Sequence, residues 1–460
     1  MREKQMKVFE SDNLWKSIFQ MVVPSLIVIV VMLLYNMADM IFVGQTGETV
    51  QVAAVSVVGP VFSLLMAFAM LLSGGGMVLI SRDLGSKSYT HAKMVSSLCM
   101  WGAIIGGVVS GAMIILFRYP LLKVLGTTAD MEQYAVSYMV ILALGAPFLM
   151  VSNLLGQLLR AEGAITDGLI GNILGTVLNL ILDPIFILGL NMGVTGAAIA
   201  TVMGNATATI YYLRYFKKKA VVLNLKPSYA LKQPFYIFSI MALGLPNAVS
   251  TLLSGFAGSF ANRLLSKYGS DAIAANAAAG RVNMIIVMVL MGICMGAQPL
   301  ISYNYGAKNM KKISGVLKRL AVLVVVFGGV TTLLVIVFRA PVIGLFLKDK
   351  GVAQTAEGML SIIMLSSPFL GFFYLSTNFL QSVGKAIQAT LLSVFQKGLF
   401  LIPLLFFLES IIGFDGIRWA YVAADMLSVV IALSLFVIGW KKLTHQDKVA
   451  KFEKREKLAS

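Results

Sequence analysis

Charge is scarce in this chain. Of its 460 residues only 12% are Asp, Glu, Lys or Arg, and 58% are hydrophobic. A soluble globular chain carries about a quarter charged residues, so a surface that faces water throughout is excluded. Cysteine is nearly absent as well. Cys99 and Cys294 each stand inside an apolar run, which excludes a disulfide framework and leaves two buried free thiols. The two histidines, His91 and His445, have no metal-ligand company. No CxxC pair, phosphate-binding glycine loop or Ser/Cys nucleophile arrangement occurs, so neither an enzyme nor a metal centre has anything to rest on. Strict polar/apolar alternation over about ten residues is also missing, and with it a transmembrane β-barrel.

Long apolar runs are what the chain has. Each is roughly 20 residues or more, the length that crosses a ~30 Å hydrocarbon core. Twelve spans can be drawn, near 16–44, 52–81, 93–117, 132–158, 163–188 and 194–215, then 235–265, 271–303, 315–338, 355–380, 387–408 and 416–440. The fold class is an all-α integral membrane protein. The first run is too long for a signal-peptide core and reads as an uncleaved span. The net charge of +17 sits in the connections, where it sets topology rather than binding nucleic acid. With the N-terminus cytoplasmic, inner segments hold 27 of the 37 Lys and Arg residues and outer segments eight. That bias orients a multi-pass cell-membrane protein with both termini cytoplasmic. The longest hydrophilic connection divides the chain into a first lobe (1–218), a linker (219–234), a second lobe (235–440) and a basic tail (441–460).

The two halves repeat each other. Gly75, Ile80, Ser81, Gly85 and Lys87 recur 221 residues later as Gly296, Ile301, Ser302, Gly306 and Lys308. The same offset relates Gly59 to Gly280, Pro147 to Pro368 and Gly163 to Gly384, with drifts of one residue at Pro24/Pro246 and Gly196/Gly416. Six spans per repeat is an even number, so the halves share an orientation. Two pseudo-symmetric six-helix bundles, a parallel repeat about an axis along the membrane normal, are expected, with substrate near the midplane. This favours an alternating-access carrier over a channel.

Inside these runs two carboxylates draw notice. Asp39 lies in PSLIVIVVMLLYNMADMIFVG with Asn36 three residues before it, and Asp183 lies in NLILDPIFI with Asn179 one turn before it. An ionisable residue inside a span is expensive, about 3 kcal/mol at mid-span on insertion scales, and marks a functional site by default.

In these residues, and in ISRDLGSK, ISYNYGAK, LRAEG (159–163), NLILDP (179–184) and GVTGAAIAT (193–201), the chain resembles the multidrug and toxin extrusion (MATE) transporters over nearly its whole length. The resemblance implies cation-coupled export of cationic amphipathic drugs. It maps a cation site of the first lobe onto Asp39, Asn179, Asp183 and Thr201. Acids that some relatives carry in the seventh and tenth spans have no counterpart here.

Depth agrees with that mapping. At 1.5 Å per residue, Asp39, Asp183 and Thr201 all lie roughly 8–10 Å inside the outer ends of their spans. Asn179 and Asp183 share a helix face at i, i+4, as do Asn36 and Asp39 at i, i+3. Their oxygens suit a sodium ion, and two neighbouring buried carboxylates equally suit a proton. No cofactor beyond that coupling ion is called for, and no metal other than sodium. Pro24 removes a helix hydrogen bond and is the expected hinge of the first span. Tyr35, Phe148, Gln157 and Asp425 are candidates for the substrate cavity, although Asp425 and Lys397, each about ten residues into its span, are also expected to pair. The expected activity is a proton- or sodium-coupled multidrug efflux antiporter working in the bilayer as a monomer. The alternative is a flippase for a lipid-linked saccharide or another anionic lipid, a cargo that favours a cavity lined by Arg and Lys. Asp39, Asp183 and Asp425 outnumber the in-span bases Arg281 and Lys397, which argues against it.

Overall fold

The computed structural model describes the backbone of residues 2–44, 49–220, 222–347 and 349–459; side chains are described except at 2–5, 34, 36–41, 43, 44, 49, 52 and 446–459. The twelve long helices are α1 (Leu14–Gly44), α2 (Thr49–Gly85), α3 (Tyr89–Leu116), α4 (Glu132–Ala161), α5 (Ile165–Gly189), α6 (Gly193–Lys218), α7 (Ile237–Leu265), α8 (Ser270–Gly306), α9 (Met310–Val337), α10 (Lys350–Ser382), α11 (Ala386–Ile412) and α12 (Phe414–Ala459). Each expected span finds its helix. Among the described residues, eleven are long and apolar enough to cross a membrane. The exception is the 26-residue α6, where Thr195, Thr201, Asn205, Thr207 and Thr209 lower the hydropathy and Arg214, Lys217 and Lys218 charge the last turns. A short helix, Arg2–Glu10, precedes α1 and buries Met6 and Phe9.

The chain forms two compact units: Met1–Ser11 with Val23–Ala248, and Asp12–Val22 with Val249–Ser460. Of the three divisions, one falls between Ser11 and Asp12 ahead of α1, and the other two fall inside a helix and beside a proline. In α1 the division lies between Val22 and Val23, next to Pro24; in α7 it lies between Ala248 and Val249, just past Pro246.

The hydrophilic stretch after α6 belongs to the first unit and is strapped to it. Glu162, fully buried at the end of α4, accepts from the Val222 amide at 2.8 Å and the Leu223 amide at 3.3 Å. Ser96 Oγ donates to the Asn224 carbonyl at 3.0 Å, and Trp101 Nε1 donates to the Leu225 carbonyl at 3.1 Å. These bonds satisfy backbone groups that no regular element covers. They also account for the acid of the LRAEG stretch.

Inside the first unit α4 is the central helix, packed on α2, α3 and α6, while α5 packs on α6. Inside the second, α10 packs on α8, α9 and α12, while α11 packs on α12. The pairings match one for one, and some of the backbone irregularities recur as well. Lys87 and Lys308 are left-handed (φ 61° and 55°), as are Gly163 and Gly384 (both 84°). Lys87 and Lys308 close α2 and α8 with equivalent bonds, Ser88 N–H to the Asp83 carbonyl (2.8 Å) and Asn309 N–H to the Asn304 carbonyl (2.9 Å). This is the usual way a left-handed residue ends a helix.

Close approach repeats too. A Cβ on Gly107 would lie 2.6 Å from Pro147 Cα, and one on Gly328 would lie 2.9 Å from Pro368 Cα. The obstructing atoms are backbone and cannot step aside. We therefore expect Gly107→Ala and Gly328→Ala each to destabilise by about 1–3 kcal/mol through overpacking. Gly59→Ala and Gly280→Ala, where nothing lies within 4 Å, serve as the matched controls and gain helix propensity instead. Thermal unfolding in detergent reads the difference; four equal melting temperatures would show that the contacts are slack.

Candidate functional site

In the first unit a polar cluster forms where α1, α5 and α6 meet. On α5 the buried residues are Ile165, Gly168, Gly171, Gly175, Asn179, Asp183 and Ile187, spaced three or four apart. They form one face, and the two polar residues continue a stripe of glycines. Small residues let helices close up in a membrane. A Cβ on Gly204 of α6 would lie 2.6 Å from the Gly175 carbonyl oxygen and 3.1 Å from Asn179 Cβ. That closeness brings α5 within reach of Thr201, one turn before Gly204. Asn179 and Asp183 are 4% and 0% exposed, so neither faces acyl chains.

Thr201 Oγ1 joins three helices. Asn179 Nδ2 of α5 donates to it at 3.5 Å, and the Tyr35 hydroxyl of α1 shares a hydrogen bond with it at 3.2 Å. The network continues into α4: Asn205 Nδ2 donates to the Thr201 carbonyl at 2.9 Å, and Ser152 Oγ donates to Asn205 Oδ1 at 2.7 Å. Asn179 Oδ1 is buried and accepts no hydrogen bond among the described residues. An unfilled buried acceptor calls for an occupant, and hard oxygen ligands are what a small hard cation takes.

The backbone around the cluster is irregular. Directly after Asp183, Pro184 removes a hydrogen-bond donor, and Ile185–Gly189 winds as a π-helix closed by Leu190 N–H to the Ile185 carbonyl at 2.8 Å. Such segments gather at functional sites. The start of α6 is fixed by Gln51 of α2, whose Oε1 accepts from the Val194 amide at 2.9 Å. Gly193 is needed there: its φ is +53°, and a Cβ would lie 2.1 Å from Gln51 Oε1.

The structure thus brings together Tyr35, Asn179 and Thr201, with Asp183 one turn further along the same buried face. The side chains of Asn36 and Asp39 lie outside the described residues. Pro24 is half-buried within a continuous α1. Phe148 is 44% exposed on α4, and Gln157 is half-buried on the same helix; neither side chain bonds to the cluster among the described residues. Asp425 lies in the second unit. The expected Lys397–Asp425 ion pair does not form, since no Lys397–Asp425 contact falls within 4.0 Å. Gln396 takes the place of Lys397, because Phe395–Leu401 winds as a π-helix and presents the preceding residue.

Two members of the cluster were not foreseen. Asn205 stands at i+4 from Thr201 and could have been read from that spacing; Ser152 carries no local signal. Replacing Thr201 by the isosteric Val removes the bridge while conserving volume. The expected cost is about 1–3 kcal/mol, the penalty for stranding buried polar groups, measured as a lower melting temperature than wild type. An unchanged value would mean that the bridge carries no load.

Comparison with known proteins gives consistent results. The MatE family model matches residues 24–185 and again 246–407, the second match displaced by 222 residues at both ends. The multidrug export protein MepA of Staphylococcus saprophyticus is 30% identical over 444 residues, covering 96% of this chain and 98% of that protein. Among solved structures, a multidrug resistance MATE family transporter of the MOP superfamily in its outward-facing conformation is 22% identical. It superposes with a TM-score of 0.90 over 96% of this chain and 99% of that one. A MATE structure in the straight conformation, also 22% identical, gives 0.91 over the same shares.

Proposed function

This chain belongs to the MatE family of membrane transporters, which are not enzymes, and from that premise we propose that it is a cation-coupled antiporter exporting cationic amphipathic compounds by alternating access. The observation that carries the proposal is the Thr201 bridge beside a fully buried Asp183, with an unfilled amide oxygen on Asn179. A membrane helix keeps such a carboxylate only where it works or is neutralised.

Asp183 and Asp39 bind the coupling ion, a proton or a sodium ion. Asp39 stands one helical turn after Tyr35 in α1, the spacing of residues on one face. Asn179, Thr201 and Asn36 supply neutral oxygens. Neutralising one buried charge releases roughly 3 kcal/mol at mid-span. That biases a two-state carrier by about two powers of ten, since 1.4 kcal/mol is tenfold. Pro24 is the hinge through which α1 responds, placed beside the division between the two compact units. Phe148 and Gln157 offer an aromatic face and an amide to a cationic drug. The Lys and Arg bias places both termini in the cytoplasm of a cell-membrane protein. One chain carries both six-helix repeats, so a monomer suffices.

Cells expressing the chain are expected to resist and expel ethidium. Asp39→Asn or Asp183→Asn is expected to abolish efflux at unchanged expression. Vesicle uptake driven separately by imposed proton and sodium gradients identifies the ion. Full efflux in both variants would remove the mechanism, and transport unaffected by either gradient would remove the coupling.

A further inference from the structure

The second unit contains a buried acid that the cluster above does not use. Asp425 of α12 is 9% exposed and lies within a membrane-spanning helix. Both of its oxygens are engaged by neutral side chains. Gln396 Nε2 donates to Oδ1 at 3.0 Å, and Ser366 Oγ lies 3.0 Å from Oδ2. Among the described residues no cation stands within ion-pair distance, although Lys397 of the π-helical segment lies within electrostatic reach. The other titratable groups that face it are Tyr374 of α10 and Tyr421 of α12 itself, with Cys294 of α8 behind Tyr374 and Asn276 of α8 bonded to Tyr421.

Ser366 makes this arrangement bistable. Its Oγ is also 3.1 Å from the Ile363 carbonyl oxygen. A hydroxyl has one hydrogen and two acceptor lone pairs, so it cannot donate to both oxygens at once. With Asp425 ionised, the hydroxyl hydrogen points at Oδ2. With Asp425 protonated on Oδ2, the acid donates to Ser366 Oγ, and the hydroxyl hydrogen turns to the Ile363 carbonyl. The Gln396 bond persists in both states. One proton is gained or lost, one hydroxyl rotates, and no heavy atom has to move. Both partners sit on interruptions of regular helix: Ser366 in the 3₁₀ turn Met364–Ser366 of α10, and Gln396 in the π-helix of α11. Interruptions of this kind recur at functional sites and hinges.

The internal repeat supports a role specific to this unit. With the offset of 220 that relates Gly196 to Gly416, Asp425 corresponds to Asn205. Asn205 Oδ1 likewise accepts from a serine of the fourth helix of its repeat, Ser152 of α4. The first unit places an amide where the second places an acid.

We propose that Asp425 is a proton-binding site of the second unit, separate from Asp39 and Asp183, in which Ser366 switches its hydroxyl between the carboxylate and the Ile363 carbonyl. A drug cation fits less well, because both oxygens are already taken and the carboxylate is enclosed. Coupling of this proton to export rests on the antiport reading above; binding of the proton does not.

The test is infrared titration of the purified full-length protein in detergent. Asp425→Asn keeps the shape and is locked neutral; its amide oxygen accepts from Gln396 and its amide nitrogen donates to Ser366 Oγ, as the protonated acid would. The wild type is expected to show a protonated-carboxyl band that disappears with rising pH. That band should be missing from Asp425→Asn, retained in the Asp39→Asn, Asp183→Asn double variant, and shifted in frequency by Ser366→Ala. A titration spectrum of Asp425→Asn identical to wild type, or a band that Ser366→Ala leaves in place, overturns the proposal. In transporting vesicles the Asp425→Asn variant should move one proton fewer per drug molecule. Absence of drug transport in the wild type would defeat the antiport reading while leaving the infrared result to decide this one.

Discussion

A carboxylate surrounded by hydrocarbon has to be solvated by the protein that carries it, and this requirement shapes both units. In the first, the face of α5 that bears Asp183 is also the face that bears Gly168, Gly171 and Gly175. The glycines let α6 approach, α6 brings Thr201, and Thr201 brings Tyr35 of α1. In the second, two interruptions of helix present Ser366 and Gln396 to Asp425. Among the described residues, the hydrogen bonds that Tyr35, Asn179, Asn205, Ser366 and Gln396 make around Thr201 and Asp425 come from hydroxyls, amides and a backbone carbonyl rather than counter-charges. A neutral donor can serve both the charged and the neutral form of an acid. A fixed cation would hold the acid ionised and defeat any exchange.

The same economy appears at the connections. Glu162 is buried without facing lipid because it receives two backbone amides of the segment after α6. That segment is hydrophilic and was expected as a linker; it is fastened to α3 and α4 through Ser96, Trp101 and Glu162. Two of the three passages between the compact units lie within α1 and α7, beside Pro24 and Pro246. A proline inside a helix removes one hydrogen bond and weakens the rod at that point, so in these two helices the chain changes unit where bending is cheapest.

Internal duplication is the other organising fact. The central helices α4 and α10, the left-handed Lys87 and Lys308, and the Gly–Pro contacts at 107/147 and 328/368 recur because they belong to the scaffold. The acids buried within the helices do not recur. At the repeat offset of 221 Asp183 corresponds to Leu404, and at 220 Asp425 stands where the first unit has Asn205. Duplicated backbone with diverged side chains is what a carrier needs if its halves share a fold and divide the chemistry.

Much of this was legible in the sequence because a bilayer reports itself as length and hydropathy. The twelve helices, the repeat offset, the family and the isolation of Asp183 with Asn179 all follow from runs and spacings within single helices. Contacts between helices do not. That Thr201 meets Tyr35, that Ser152 reaches Asn205, and that Gln396 rather than Lys397 meets Asp425 depend on how closely two backbones approach and on where a helix widens by one residue. Those quantities are set by packing between segments far apart in the chain, and only the tertiary structure decided them.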